Sequence, residues 1–160
     1  MKDRKVVSEI NTADYPVLYE TAMECYDYVN STDKGAYKAA ASGGKKVFSL
    51  TDGYMDYVHV NSVCMDLYDG NIIVSMRHQY AVYKFNKKTG ELMWTLSGLN
   101  DEFVLSRSQK FIGQNFAYMT NGSGERLVFD NHTSFAQNET RMAEFQFRNR
   151  NETGVMQTTF

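Results

Sequence analysis

Short runs in which apolar and polar residues alternate dominate the chain from position 57 onward. Such alternation, bounded by turn residues, is typical of half-buried β-strands. It predicts four strands, over Tyr57–Met65, Ile72–Arg77, Ala81–Phe85 and Glu91–Leu96. The pair Asp69-Gly70 predicts a tight turn between the first two strands, and residues 86–90 predict a longer turn between the last two. Four antiparallel strands in succession make one β-meander.

The same order of strands and turns then recurs. Further strands are predicted over Asn115–Thr120, Arg126–Phe129, Arg141–Phe147 and Val155–Phe160. Turn glycines match between the two sets, Gly70 with Gly124 and Gly90 with Gly154. A repeated four-stranded unit of about 40–50 residues is the signature of a β-propeller blade. A single sandwich of eight strands agrees with the pattern equally well, so periodicity leaves both architectures open.

The first third of the chain differs from the rest. Residues 1–10 predict one lone strand, over Arg4–Ile10, as the outer strand of an incomplete blade. Asp14-Tyr15-Pro16 then predicts a helix start, followed by apolar residues at helical spacing: Leu18, Ala22, Cys25 and Val29. We therefore assign residues 11–50 to an insertion of helix and loop and residues 51–160 to two propeller blades.

The expected fold class is all-β: a partial β-propeller of about two and a half four-stranded antiparallel blades, with a partly helical insertion near the N-terminus. A propeller closes only with at least about four blades. Missing N-terminal blades or self-association would therefore have to cover the open edges, since an unpaired edge strand invites aggregation.

Composition narrows the choice of partners. The chain has 160 residues, with 17 basic and 19 acidic side chains, so we expect no nucleic-acid partner, and its short apolar runs predict no membrane span. The N-terminus carries no signal-peptide pattern, whereas five Asn-x-Ser/Thr triplets leave the compartment open. Cys25 and Cys64 are interpreted as buried free thiols, with a disulfide as the alternative. No metal site or cofactor is expected, because Asp66, Asp69 and Glu91 are interpreted as turn and surface groups.

Candidate chemistry gathers around a histidine in the first predicted strand. Strand alternation places His59 and Asn61 on one face, and Arg77 and His78 follow the next strand. An imidazole, an amide and a guanidinium that converge would suit an anion such as a sulfate or phosphate. The alternative is structural, because a histidine on a strand is more often a hydrogen-bonded wall residue than a catalyst.

Several ordered motifs resemble the arylsulfotransferase (arylsulfate sulfotransferase) family over about residues 54–147. They read H-x-N-S from His59, S-x-R-H from Ser75, T-G-E-x-x-W-x-L-x-G from Thr89, and F-D-N from Phe129. The spacing of 18 between His59 and Arg77 also agrees with the family. The resemblance implies a propeller enzyme that moves a sulfuryl group from a phenolic sulfate ester to a phenol, through a transiently sulfated histidine and without a nucleotide donor.

The resemblance also implies the roles of individual residues. His59 would serve as acid or oxyanion stabiliser, Asn61 would orient the sulfate oxygens, and Arg77 would clamp the transferring group. His78, Gln114 and Asn115 would contact the substrate. Asn115 stands in Gly113-Gln114-Asn115, where the family has its nucleophilic histidine in a G-Q-H segment.

An amide nitrogen lacks the available lone pair of an imidazole, so Asn115 predicts impaired transfer. Three interpretations stay open: an enzyme completed by further sequence or a second chain, a non-catalytic module that binds aryl sulfates, and a truncated gene product. Family relatives are generally periplasmic or secreted, which is what the resemblance implies for the compartment.

Overall fold

The first sheet is a four-stranded antiparallel meander. The computed structural model describes residues 5–6, 8–20, 22, 56–120, 125–131 and 140–146. The strands follow one another in the order β1-β2-β3-β4: β1 Val60–Met65, β2 Ile72–Met76, β3 Ala81–Phe85 and β4 Leu92–Ser97. The predicted meander is thus confirmed, with strand ends shifted by a few positions.

The second sheet repeats this arrangement with three described strands. They are β5 Phe116–Met119, β6 Glu125–Asp130 and β7 Arg141–Gln146, paired antiparallel in that order. The predicted fourth strand over 155–160 and the turns at Gly124 and Gly154 lie outside the described residues. Two successive antiparallel sheets with very little helix make the described chain all-β and propeller-like, as predicted.

The N-terminal segment contains one short helix. A 3-10 turn over Thr12–Asp14 precedes α1, Pro16–Glu20, which begins at the predicted proline. The predicted strand over 4–10 is absent at the described positions 5, 6 and 8–10. Cys25 and the rest of the predicted helix and loop lie outside the described residues. No helix in the described ranges is long and apolar enough to cross a membrane.

Strands β2 and β3 of the first sheet are buried on both faces, which explains their continuous apolar runs. One face packs against the N-terminal segment, with Leu18, Val74, Met76, Ala81, Tyr83 and Phe85 in the cluster. The other face packs against the second sheet through Ile73, Val82, Trp94, Leu96, Ala117, Met119, Val128, Ala143 and Phe145, among others. Strand alternation therefore divides the side chains of β2 and β3 between two cores.

An ion cluster of Asp66, Lys84 and Arg126 crosses between the two sheets. One carboxylate oxygen of Asp66 lies 2.8 Å from Lys84 Nζ and 2.8 Å from Arg126 Nη2. Both cations also lie over the ring of Trp94, at 6.0 and 5.3 Å from its centroid. The interpretation of Asp66 as a surface group was wrong: it is 1% exposed, because two cations from β3 and β6 meet it there.

A glycine permits the close approach that shapes the end of the first sheet. Gly98 has φ +71, and a Cβ there would lie 2.7 Å from the carbonyl oxygen of Gln79. Gln79 ends the 3-10 turn Arg77–Gln79, which follows β2 directly. The final glycine of the T-G-E-x-x-W-x-L-x-G motif therefore lies against the turn that carries Arg77 and His78.

Candidate functional site

Antiparallel pairing of β1 with β2 brings most of the predicted site residues to one end of the first sheet. Val60 pairs with Met76, so the residues just outside each strand are neighbours. The Arg77 N–H donates to the His59 carbonyl at 3.0 Å, and the His78 N–H donates to the Val58 carbonyl at 3.3 Å. We call this region, together with residues 113–115 that contact it, the junction.

His59 does not lie on a strand, so the prediction of a strand over Tyr57–Met65 was wrong at its start. The strand begins at Val60, and His59 has a positive φ of 47°, uncommon for a residue other than glycine. The Asp56 side chain explains this geometry. Its Oδ1 accepts the His59 N–H at 2.7 Å, and its Oδ2 lies 2.5 Å from His59 Nδ1. Asp56 therefore fixes both the backbone and the ring of His59.

The Asp56 carboxylate is held in its ionised form by its neighbours. Burial acts to raise its pKa, but hydrogen bonds from the His59 main chain and ring, and the charges of both histidines, lower the pKa below its ordinary value. Sequence reasoning missed Asp56. An aspartate three residues before a histidine at a strand start is the available signal, because its short side chain caps that backbone N–H.

His78 completes a group of three side chains. Its Nδ1–H donates to the Asp56 main-chain carbonyl, and its ring centroid lies 4.5 Å from that of His59, with the planes inclined by 33°. The His78 side chain is 15% exposed, against 46% for His59. The two predicted histidines are therefore in contact, with one more accessible than the other.

Asn61 occupies a β-bulge that turns its side chain toward the second sheet. The register shifts between Val60 and Ser62, so simple alternation from His59 to Asn61 does not apply. The Asn61 Nδ2 donates to the Gln114 carbonyl at 2.6 Å. Its Oδ1 is buried and has no hydrogen-bond partner, which leaves an acceptor available at the junction.

Arg77 also reaches the segment before β5. Its Nη1 donates to the Gly113 carbonyl at 2.8 Å, and Asn131 Nδ2 donates to the same oxygen at 2.9 Å. Gly113 has φ +61, a left-handed conformation that favours glycine. Two side chains from different sheets therefore hold this carbonyl in place.

Gln114 is fully buried, and its amide contacts the first sheet. The Nε2 donates to Met76 and Ala81 carbonyls at 3.0 and 2.9 Å, and lies 3.3 Å from Ser75 Oγ. Its Oε1 has no hydrogen-bond partner. The donors of Gln114 thus tie the second sheet to the first, and its role in contacting substrate stays a prediction.

Asn115 follows directly, with its side chain exposed. Its main-chain N–H donates to the Phe129 carbonyl at 3.0 Å, which continues the pairing of β5 with β6 beyond the strand. Backbone contacts on both sides of Asn115 therefore fix where its side chain leaves the chain. The predicted impairment of sulfuryl transfer by Asn115 stays a prediction.

The F-D-N segment supports the same region. Asp130 is fully buried, and its carboxylate accepts the Ile112 N–H at 2.9 Å and the Arg141 Nε–H at 2.8 Å. Asn131 holds the Gly113 carbonyl, as described above. This motif therefore positions the segment that carries Asn115. His132, the third histidine, lies outside the described residues, and Cys64 is a half-buried free thiol.

Two successive antiparallel sheets that share a polar junction define an all-β, propeller-like protein with a histidine-, amide- and guanidinium-lined site. The family model described as arylsulfotransferase (ASST) matches residues 18–159. The chain therefore belongs to the arylsulfotransferase family, and the resemblance seen in its motifs is confirmed. Comparisons with curated proteins and with solved structures gave no match.

Proposed function

We propose that this arylsulfotransferase-like chain binds phenolic sulfate esters at the junction and that sulfuryl transfer through a covalent intermediate is impaired in it. One observation carries the proposal: Asn61 and Arg77 hold the carbonyls of Gln114 and Gly113 at 2.6 and 2.8 Å. The residues that we propose to bind the anion thus lie against the segment that would present a nucleophile.

The roles follow from the chemistry of each group. A guanidinium is planar, carries five N–H donors and matches the geometry of an oxyanion. Arg77 would stabilise the charge that spreads over the sulfuryl oxygens during transfer. The amide of Asn61 would orient those oxygens. His59, fixed by Asp56, would give a proton to the phenolate oxygen as the S–O bond breaks.

The proposed impairment depends on position 115. With an imidazole there, the ring nitrogen would attack sulfur, the S–O bond to the aryl group would break, and the phenol would leave with a proton from His59. A phenol acceptor would then give its proton back to His59, attack the same sulfur and release the imidazole. The amide nitrogen of Asn115 cannot form the N–S bond, because its lone pair is delocalised.

The alternative function is a non-catalytic module that binds aryl sulfates or related anions. The exposure of Phe116 and Tyr118 favours this alternative, because both rings follow Asn115 and stack at 5.9 Å with planes 16° apart. Such a pair offers an aromatic surface beside the junction. The aryl group of an ester could pack there while its sulfate meets Arg77.

A single substitution distinguishes the two functions. We expect the native chain to bind p-nitrophenyl sulfate without releasing p-nitrophenol in the presence of a phenol acceptor, and Asn115→His to introduce release and a sulfated-protein mass. The double variant Asn115→His/Arg77→Ala is the matched control and should lose both. If Asn115→His binds the ester but never becomes sulfated, the binding module is correct. If neither chain binds the ester, the proposed function fails.

A further inference from the structure

Asp56, His59 and His78 form a group with a chemistry of its own. One ring nitrogen of each histidine and one carboxylate oxygen of Asp56 all lie within 4.8 Å of one another. They come from two separate segments, which the pairing of β1 with β2 brings together. Arg77 and Asn115 lie outside this group. His59 and Asp56 are shared with the proposed sulfuryl site, so an ion bound here would replace the proton-donor role proposed for His59.

We propose that these three side chains form a zinc site. Two imidazoles and one carboxylate, with water in the fourth position, are a donor set that Zn²⁺ uses in tetrahedral sites. Bonds of about 2.0–2.2 Å in a tetrahedron separate neighbouring ligand atoms by about 3.3–3.6 Å. Separations near the 4.8 Å limit would have to shorten by up to about 1.5 Å. Asp56 Oδ2 and His59 Nδ1, which lie 2.5 Å apart in a hydrogen bond, would have to move apart by about 0.8 Å to admit the ion. Side-chain rotation can supply this, because Asp56 and His59 are about half exposed.

The hydrogen bonds around the group orient its donors. His78 Nδ1–H donates to the Asp56 carbonyl, so the lone pair of neutral His78 is on Nε2. A ring nitrogen that donates to a backbone carbonyl is the usual partner contact of a zinc-binding histidine. Asp56 also fixes the His59 backbone through the N–H contact of 2.7 Å. These contacts restrict the His78 ring and the His59 main chain before any metal binds, which lowers the entropy cost of binding.

The uneven exposure of the group favours a bound ion that keeps one open position. His78 is mostly buried, with 15% of its side chain exposed, whereas His59 and Asp56 are 46% and 49% exposed. An ion held between them would contact the protein on one side and solvent on the other. This arrangement is typical of three-ligand zinc sites, in which water completes the coordination.

The test is a titration of the chelator-treated full chain with zinc chloride, followed by calorimetry. We expect one ion per chain, and a loss of affinity of at least about tenfold in both His78→Ala and Asp56→Asn. His132→Ala is the matched control, since it removes the chain's remaining histidine. Its affinity should equal that of the native chain. Unchanged affinity in both site variants, or a loss only in His132→Ala, overturns the proposal.

A second measurement needs no variant and so does not depend on whether a substituted chain folds. Diethyl pyrocarbonate modifies accessible imidazoles, and peptide mass spectrometry locates each modified histidine. Zinc chloride should protect His59 and His78 and leave His132 unprotected. Equal modification of His59 with and without zinc overturns the proposal. Binding of p-nitrophenyl sulfate is measured separately, so a failure here leaves the proposed sulfate site untouched.

Discussion

The ion cluster and the junction are two polar contacts between the sheets that differ in accessibility and in how completely their groups are paired. At the ion cluster, the side chains of Asp66, Lys84 and Arg126 are only 1%, 6% and 8% exposed. At the junction, Asn61 and Gln114 each keep a buried oxygen without a hydrogen-bond partner, and His59 is 46% exposed. Charges that pair in a buried cluster hold the two sheets together, whereas a binding site for an anion requires accessible N–H donors.

The ion cluster and the junction also differ in their electrostatic environment. Burial lowers the pKa of the Arg126 guanidinium, while Asp66 acts in the opposite direction by stabilising the charged form. At the junction, burial is the largest single influence and raises the pKa of Asp56, but hydrogen bonds and nearby histidine charges together lower it below its ordinary value. Ionic pairing in the cluster therefore serves mainly to compensate burial, whereas the junction keeps an ionised carboxylate accessible.

The largest effect is expected from Asp66→Ala. The substitution leaves Lys84 and Arg126 buried without their shared carboxylate, which typically destabilises a fold by about 3–5 kcal/mol. Urea unfolding of the full chain should show this loss as a lower midpoint. The packing of Trp94 against both sheets should be lost at the same midpoint, as followed by its fluorescence.

Asp69→Ala is the matched control for that substitution. Asp69 also pairs with Lys84, at 2.6 Å, but its side chain is 28% exposed. Lys84 would keep Asp66 as a partner, so we expect a loss of about 1 kcal/mol or less. Equal effects of the two alanines would show that burial of the cluster does not decide its contribution.

The second effect is expected from Gln114→Ala. It removes the donors that serve the Met76 and Ala81 carbonyls and leaves those acceptors buried, at a cost of about 1–3 kcal/mol. Denaturant unfolding measures the change. Gln109→Ala, in the loop before β5, removes a side chain that accepts the Ser106 N–H near solvent. A larger loss in Gln109→Ala than in Gln114→Ala would contradict this account.

Much of the fold follows from patterns that act over short distances. Alternating residues and the Asp69-Gly70 turn predict the meander because pairing of neighbouring strands depends on local spacing. The start of β1 could not be predicted in this way. The Asp56 side chain accepts a hydrogen bond from the His59 N–H at 2.7 Å. This contact keeps His59 out of the strand that the alternating pattern predicts there.

Less of the site was predictable. The motifs identified His59, Asn61 and Arg77, but their contacts with residues 113–114 depend on how the sheets pack. Asp66 looked like a turn residue because its cation partners are 18 and 60 positions away in the chain. Contacts over such separations leave no periodic pattern in the sequence. The burial of Asp66 and its ion pairs are therefore visible only in the folded chain.

A smaller effect, on binding rather than folding, is expected from Arg77→Lys. The ammonium of lysine keeps the charge but loses the planar pair of donors, so affinity for p-nitrophenyl sulfate should fall about tenfold, or about 1.4 kcal/mol. Calorimetry measures this. Arg107→Lys, on an exposed loop residue, should bind as the native chain does. Equal affinity of the two variants for the ester would show that Arg77 does not contribute to its binding.

The smallest effect is expected from Asp56→Asn, as a change in pH dependence. The folded state holds the pKa of Asp56 below its ordinary value of 3.8. The ionised carboxylate therefore stabilises the fold above that value, and this contribution is lost as the pH falls through the lower folded pKa. Because Asp56 is half exposed, the stability difference between native and Asp56→Asn chains should be below about 1 kcal/mol at neutral pH. It should shrink toward zero as the pH falls below 3.8 in a series of urea unfolding curves.

Glu91→Gln, at an exposed turn of the first sheet, is the control for Asp56→Asn. A difference for Asp56→Asn that grows in acid would show that the two histidines do not favour the ionised carboxylate in the folded chain.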